Sequence, residues 1–172
     1  LLQGALQAED AVSLLIEARD WDEVARIADE EGDALLAQGR SETLGVWLEM
    51  LPASIVEASP RLLGLLAASR GHASPRSARQ LYERAYTGFR GAGERDGMIR
   101  CCRGVVDAIL LECDDVAPLD RWIATLDDLL AGDASGAGNP VEMAATAALI
   151  RAMLVRDPGG ASLARRLAAL RT

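Results

Sequence analysis

Apolar residues recur every three or four positions along almost the whole chain, and this periodicity is the feature that most constrains the fold. Such spacing places the apolar side chains on one face of an α-helix. The periodic segments are separated by strong helix-start signals, in which a capping residue precedes a proline at the first helical position: Ser59-Pro60, Ser74-Pro75 and Asn139-Pro140. Asp20 and Glu23 form a capping box at another start. The chain is therefore predicted to be a succession of short amphipathic helices.

Apolar stripes and breakers together predict the helix positions. The predicted helices are 8–19, 20–39, 41–51, 60–71, 75–89, 94–113, 116–130, 140–156 and 161–171. Ser41 is expected to cap the third, Gly32 is expected to bend the second, and Pro52–Ala58 is expected to be a turn. The stretch from Gly132 to Asn139 is the one long predicted loop.

Composition and connection length indicate the fold class. Half of the residues are hydrophobic but only 3% are aromatic, so Leu and Ala, both strong helix formers, supply most of the packing. Helices with short connections pair antiparallel with their chain neighbours. Helix starts near 60 and 94 lie about one tetratricopeptide period, roughly 34 residues, apart, while other steps are longer. The prediction is an all-α domain over 1–172, with antiparallel helix hairpins stacked as a degenerate tetratricopeptide-like solenoid rather than a closed bundle.

Charge and cysteine usage narrow the possible functions. All 18 basic residues are arginine. The net charge of −8 argues against direct nucleic acid binding by this segment. No signal peptide or membrane-spanning apolar run is present, so a cytoplasmic protein without membrane contact is expected. The chain begins with Leu1, and we expect it to be a fragment of a larger protein. Cys101, Cys102 and Cys113 do not form a disulfide framework. Cys101 and Cys102 are interpreted as small buried apolar residues; the alternative, redox sensing, requires an exposed thiol.

Catalytic and metal-binding patterns are absent from the sequence. A chain without lysine has no phosphate-binding loop of the Walker type. Gly136-x-Gly138 is read as flexible linker rather than a dinucleotide site, and His72, the single histidine, as a polar turn residue. Two acidic sets are read as solvated helix ends rather than cation sites: Asp29-Glu30-Glu31-Asp33 and Glu112-Asp114-Asp115. We therefore predict a protein that is not an enzyme and needs no metal or cofactor.

Binding residues are expected on the first helix of each hairpin, which lines the inner curve of a solenoid. The candidates for a groove that contacts an anionic ligand or peptide are Arg61, Arg100, Arg103, Asp107 and Arg151. The alternative is that these residues form a surface salt-bridge network. The three tryptophans, at 21, 47 and 122, lie within apolar stripes and are expected in the core.

Two stretches resemble known families. Ala78-x3-Tyr82-x2-Ala85-x3-Phe89 resembles the second helix of a tetratricopeptide repeat. Residues 1–90 resemble the helical region of MalT-like, LuxR-family large regulators; the matching residues are Ala18, Asp20-Trp21, Leu35-Leu36, Gly39, Trp47-Leu48, Leu51-Pro52 and Pro60-Arg61-Leu62. The resemblance implies a sensor or scaffold module that binds an inducer or protein partner and relays this to ATPase and DNA-binding domains elsewhere. A tetratricopeptide-like protein–protein adaptor without a small-molecule inducer is the alternative.

Overall fold

All regular structure in the described part of the chain is α-helical. The computed structural model describes residues 2–131 and 139–169, and these ranges contain ten helices. They are α1 (Leu2–Ala18), α2 (Trp21–Ala37), α3 (Ser41–Met50), α4 (Ala53–Ala58), α5 (Pro60–Arg70), α6 (Pro75–Ala92), α7 (Arg95–Glu112), α8 (Leu119–Ala131), α9 (Pro140–Arg156) and α10 (Ala161–Ala169). The prediction of an all-α chain is confirmed.

Local signals fix several helix ends. The side chains of Asp20, Ser59 and Asn139 each accept a hydrogen bond from a backbone N–H in the first turn of the helix that follows, at 3.4, 3.2 and 3.0 Å. These bonds satisfy donors that have no partner within the helix. At the other end, α2 and α6 are followed by Gly39 and Gly93, with φ of 75° and 73°. A residue without a Cβ adopts this left-handed conformation at little cost.

Several predicted boundaries were wrong. The segment after Pro52 is the helix α4 rather than a turn, because the backbone N–H of Ile55 and of Val56 bond to the Pro52 carbonyl and Val56 is buried. Helix α8 begins at Leu119, not Val116. Ser41 is the first residue of α3 and does not cap it, and the Ser74 side chain makes no capping hydrogen bond. The predicted loop at 132–138 and the end of the last helix lie outside the described residues.

Gly32 has a packing role that the prediction missed. Helix α2 runs without interruption from Trp21 to Ala37, and Gly32 lies where it contacts α5. A Cβ built at this position would lie 2.7 Å from a methyl group of Leu65. The glycine therefore serves close packing of two helices, a role that the local sequence does not reveal.

Helices pack mainly on neighbours in the chain. Each of the main helices α5, α7 and α9 contacts the helix before it, the helix after it, and the corresponding helix of the preceding hairpin, which gives the pairs α2·α5, α5·α7 and α7·α9. The first helices of the hairpins, α2, α5, α7 and α9, thus contact one another in chain order. Each of the second helices, α3, α6, α8 and α10, packs against at least one of these first helices.

Helices α6 and α7 form the central helix pair, which joins the hairpin α5–α6 to the hairpin α7–α8. A Cβ built on Gly97 would overlap the ring of Phe89, and one built on Gly104 would overlap the ring of Tyr82. Both rings therefore rest directly on the α7 backbone, with seven residues separating the pair on each helix. This spacing keeps both contacts on one helix face.

The core divides into two clusters that meet at this helix pair. The first region comprises α1–α6; its cluster has 18 buried residues, of which nine are leucine and one, Cys101, lies on α7. The second region comprises α7–α10, where the 14 buried residues are mainly alanine, valine, isoleucine and leucine. Cys101 belongs to the first cluster and Cys102 to the second, so α7 is buried on both sides.

Candidate binding clefts

The structure brings three of the five predicted groove residues together. Arg61 on α5 and both Arg100 and Arg103 on α7 line one opening at the surface where these two helices meet. Asp107 and Arg151 lie outside this opening and form an ion pair of 2.5 Å between α7 and α9. Ion pairing, the alternative considered from the sequence, thus occurs at four of the five positions. A binding role for these residues stays a prediction.

The opening, which we call the arginine cleft, is lined by residues of α2, α5, α6 and α7. Its lining residues are Asp33, Leu36, Arg61, Gly64, Leu65, Ala68, Tyr82, Phe89, Arg100, Cys101 and Arg103. The volume is about 80 Å³. Sites that enclose a drug-sized molecule measure roughly 300–1,000 Å³. The arginine cleft is therefore sized for a single functional group or side chain.

Positive charge dominates this cleft although the chain as a whole is acidic. Its lining holds three guanidinium groups and one carboxylate, that of Asp33, which leaves a formal charge of +2 against −8 for the chain. Arg61 lies 3.0 Å from Asp33, and Arg100 lies 3.4 Å from the same carboxylate oxygen. Arg61 also lies 3.3 Å from Asp29, just outside the cleft. Arg103 forms no ion pair with any residue that the structure describes.

The floor and back of the arginine cleft are formed by a glycine and a tyrosine. No atom lies within 4 Å of a Cβ built on Gly64, although this residue is in the middle of α5. Tyr82 is largely buried, and burial raises its pKa to about 12, an effect that the positive charge of Arg103 partly offsets. The Tyr82 hydroxyl therefore stays protonated at neutral pH.

A second opening, which we call the leucine cleft, was not anticipated from the sequence. It measures about 380 Å³ and lies among α3, α4, α5 and α6; its apolar lining residues are Leu48, Leu51, Ala53, Val56, Leu63, Leu66 and Leu81. At its rim Arg70 pairs with Glu49 at 2.9 Å, and Glu57 pairs with Arg84. One wall of the cleft is the helix α4, which lies beside α5. Because the sequence predicted a turn at this position, the cleft could not be predicted either.

The single histidine and the cysteines are placed apart from both clefts or within the core. His72 is exposed in the turn between α5 and α6, as predicted. Cys101 and Cys102 are buried, also as predicted, and burial raises the pKa of each thiol to about 12. The thiolate is the reactive form of cysteine, so both thiols are chemically inert at neutral pH. Cys113 is exposed at the end of α7.

The tryptophans and the two acidic sets were expected to be buried and exposed, respectively. Trp47 and Trp122 are buried, while Trp21 is half-buried against the first cluster. Both acidic sets are exposed, as expected, except for Glu112, whose side chain is only 7% exposed and lies 3.1 Å from Arg79. Within the described ranges, no group of three or more histidine, cysteine or acidic side chains is arranged to hold a metal ion.

Comparisons with known proteins identified no related protein. No family model, curated protein or solved structure matches the chain. Among the described helices, none has the length and apolar character that crossing a membrane requires. The geometry of the clefts and the motif residues are thus what bear on function.

Proposed function

We propose that this chain is a non-catalytic sensor or scaffold module of a MalT-like transcriptional regulator. It binds a ligand or protein partner in the arginine cleft and relays binding to ATPase and DNA-binding domains of the same regulator. The family assignment rests on the motif residues of 1–90, and the mode of action rests on the cleft.

One observation carries the proposal: the arginine cleft is built by three successive hairpins. Arg61 is on α5, Arg100 and Arg103 are on α7, and Asp33 is on α2. A molecule bound there contacts all three helices and favours whichever relative arrangement of the hairpins brings those groups closest. Binding energy that differs between arrangements is the requirement for a conformational signal.

The packing pattern supports an open, tetratricopeptide-like stack as the framework of this module. Contacts join the first helices of adjacent hairpins in chain order, in the pairs α2·α5, α5·α7 and α7·α9. In stacks of this kind each repeat contacts its neighbours, and a change at one interface is passed along the series. The exposed face of the first helices is then the binding surface.

The volume of the arginine cleft favours a second candidate function, a protein–protein adaptor. At about 80 Å³ the cleft encloses a side chain of a bound peptide but not a whole inducer molecule. In this alternative, binding stays local and no signal passes to α9 and α10.

Two measurements on the 172-residue chain test the proposal. The first is a thermal-shift screen against metabolites and a library of short peptides, repeated with Gly64→Leu, which fills the arginine cleft. Gly91→Leu is the matched control, because Gly91 is also helical and also has no atom within 4 Å of a built Cβ, but lies on α6 outside the cleft. We expect stabilising compounds whose effect is lost in Gly64→Leu and kept in Gly91→Leu. Stabilisation that survives Gly64→Leu contradicts cleft binding.

The second measurement is amide hydrogen exchange with and without a stabilising compound. A sensor shows changed protection in α9 and α10 as well as in α2, α5 and α7, because the signal travels beyond the contacted helices. Changes confined to α2, α5 and α7 support the adaptor and overturn the sensor. Both outcomes are read on the same folded chain.

A further inference from the structure

We propose that the arginine cleft is a carboxylate-binding site whose internal occupant is Asp33, and that a ligand carboxylate takes the place of the Asp33 side chain. This inference rests on the proposed function and specifies the chemistry of the ligand. The carboxylate belongs either to an acidic side chain of a protein segment or to a small free acid.

The geometry of the cleft already accommodates one carboxylate. The Asp33 oxygen Oδ2 accepts from Nη2 of Arg61 at 3.0 Å and from Nη1 of Arg100 at 3.4 Å. Two arginines on different helices thus converge on one oxygen atom. Arginine–carboxylate pairs are among the stronger hydrogen bonds in proteins because both partners are charged.

Asp33 is a replaceable occupant because its side chain is exposed and its hydrogen bond with Arg100 is long. Its side chain is 48% exposed, and the Arg100 contact is near the limit of a hydrogen bond. Exposed ion pairs of this kind contribute little to stability. Arg61 keeps a second partner, Asp29 at 3.3 Å, when Asp33 moves away.

Arg103 supplies binding capacity that Asp33 does not use. It lines the same cleft and pairs with no carboxylate in the described part of the chain. With Asp33 displaced, Arg61, Arg100 and Arg103 face the ligand together. The planar guanidinium forks of arginine match the two oxygens of a carboxylate.

The walls indicate that this carboxylate is carried on an aliphatic stem. Between the arginines the cleft is lined by Leu36, Leu65, Ala68 and Phe89. A volume of about 80 Å³ holds a carboxylate with two or three carbon atoms, since a liquid water molecule takes about 30 Å³. Gly64 leaves this floor free of side-chain atoms.

An NMR titration of the 172-residue chain tests the inference with two pairs of probes. The first pair is a capped leucine–alanine pentapeptide with one central glutamate and its glutamine twin; the second is glutarate and glutaramide. We expect the acid of at least one pair to bind about tenfold more tightly than its amide, as the loss of a charge-assisted pair predicts. Tighter binding of the peptide identifies a protein segment as the source, and tighter binding of glutarate identifies a free acid.

Variants locate the interaction. Arg103→Gln is expected to weaken binding of the acid about tenfold, whereas the matched control Arg26→Gln, on α2 and paired with Glu23 and Glu30, leaves it unchanged. Asp33→Asn is expected to tighten binding about fivefold, because a charged competitor is removed. Circular dichroism melting confirms that each variant is folded.

The outcomes separate this inference from the proposed function. Equal binding of acid and amide, no binding of either acid, or weaker binding by Asp33→Asn overturns the carboxylate site. If acid and amide bind equally and Gly64→Leu abolishes both, the cleft remains the binding site and the proposed function stands. If binding of both survives Gly64→Leu, both proposals fail.

Discussion

The two regions of the molecule bury their apolar residues in different ways. The first region relies on leucine, and both the arginine cleft and the leucine cleft are lined mainly by its helices. In the second region, α9 presents Ala145, Ala148 and Ala152 to the core, and α7 presents β-branched residues. Small side chains let helix backbones approach closely, while long flexible ones leave gaps between helices. The arginine cleft and the leucine cleft thus both lie where leucine-rich helices meet.

The central helix pair connects these two regions. Tyr82 and Tyr86 on α6 contact both clusters, and α7 contributes Cys101 to one and Cys102 to the other. A ligand in the arginine cleft touches Tyr82, Arg100 and Cys101. The same helices that line the cleft thus form the boundary with the second region.

The largest expected loss of stability comes from a substitution in the second cluster. Trp122 is 2% exposed and its ring lies edge-on to Tyr86, with centroids 5.3 Å apart. Trp122→Ala is expected to lower the free energy of unfolding by about 3–5 kcal/mol, since it removes a buried aromatic side chain and leaves a cavity. Urea denaturation measures this change. Trp21→Ala, at a half-buried site in the first region, is the comparison and is expected to cost less; an equal loss contradicts the burial difference.

The next largest effect is expected at the contact between α6 and α7. Gly104→Ala places a methyl group against the Tyr82 ring, and overpacking of this kind costs about 1–3 kcal/mol. Thermal and urea unfolding measure the loss. Tyr82→Leu in the Gly104→Ala background provides space and should recover part of it. A Gly104→Ala protein as stable as the parent would show that the two helices are free to separate.

A third effect concerns the two buried thiols on either side of α7. Their pKa of about 12 in the folded chain lies above the ordinary value of 9.0, so the unfolded chain loses these protons first as the pH rises. These thiols therefore leave stability unchanged well below pH 9, and stability falls from about pH 9 to pH 12, by about 1.4 kcal/mol per thiol at pH 10. Urea denaturation at pH 8 and pH 10 measures this. The double variant Cys101→Ala, Cys102→Ala should lose most of the pH dependence, and Cys113→Ala should retain it.

The smallest expected effect is at the floor of the arginine cleft. Gly64 has room for a Cβ, and glycine in a helix interior is less favourable than alanine by about 1 kcal/mol. Gly64→Ala should therefore stabilise the chain by up to about 1 kcal/mol, with Gly91→Ala as the control of smaller gain near the end of α6. Thermal unfolding of both variants checks this. A destabilising Gly64→Ala would mean that the cleft closes on this position in solution.

The helices could be predicted because their signals are local. Asp20, Ser59 and Asn139 cap the helices that follow them, and Gly39 and Gly93 follow helix ends. Burial of Cys101 and Cys102 was also predictable, because both lie within an apolar helix. Three of the five candidate binding residues line one cleft, since helix periodicity already placed Arg100 and Arg103 near each other.

Tertiary structure alone decided the pairings between helices. Glu142 lies in the first turn of α9, and its carboxylate accepts a hydrogen bond of 2.5 Å from Arg95 on α7, 47 positions away. No local pattern shows that Asp33 meets both Arg61 and Arg100, residues 28 and 67 positions away. The helix α4 and the leucine cleft also depend on packing, because Val56 of α4 is buried in the first cluster.

The amino-acid sequence by itself determined that this protein is helical, where most of its helices begin and end, and which face of each is apolar. These properties depend on residues within a few positions of each other, through capping bonds and side-chain spacing. Only the packing of the helices decided which glycines are contact points. The same packing decided which arginines share a cleft and which acidic residue occupies it. That packing brings together residues whose separation along the chain carries no local signal.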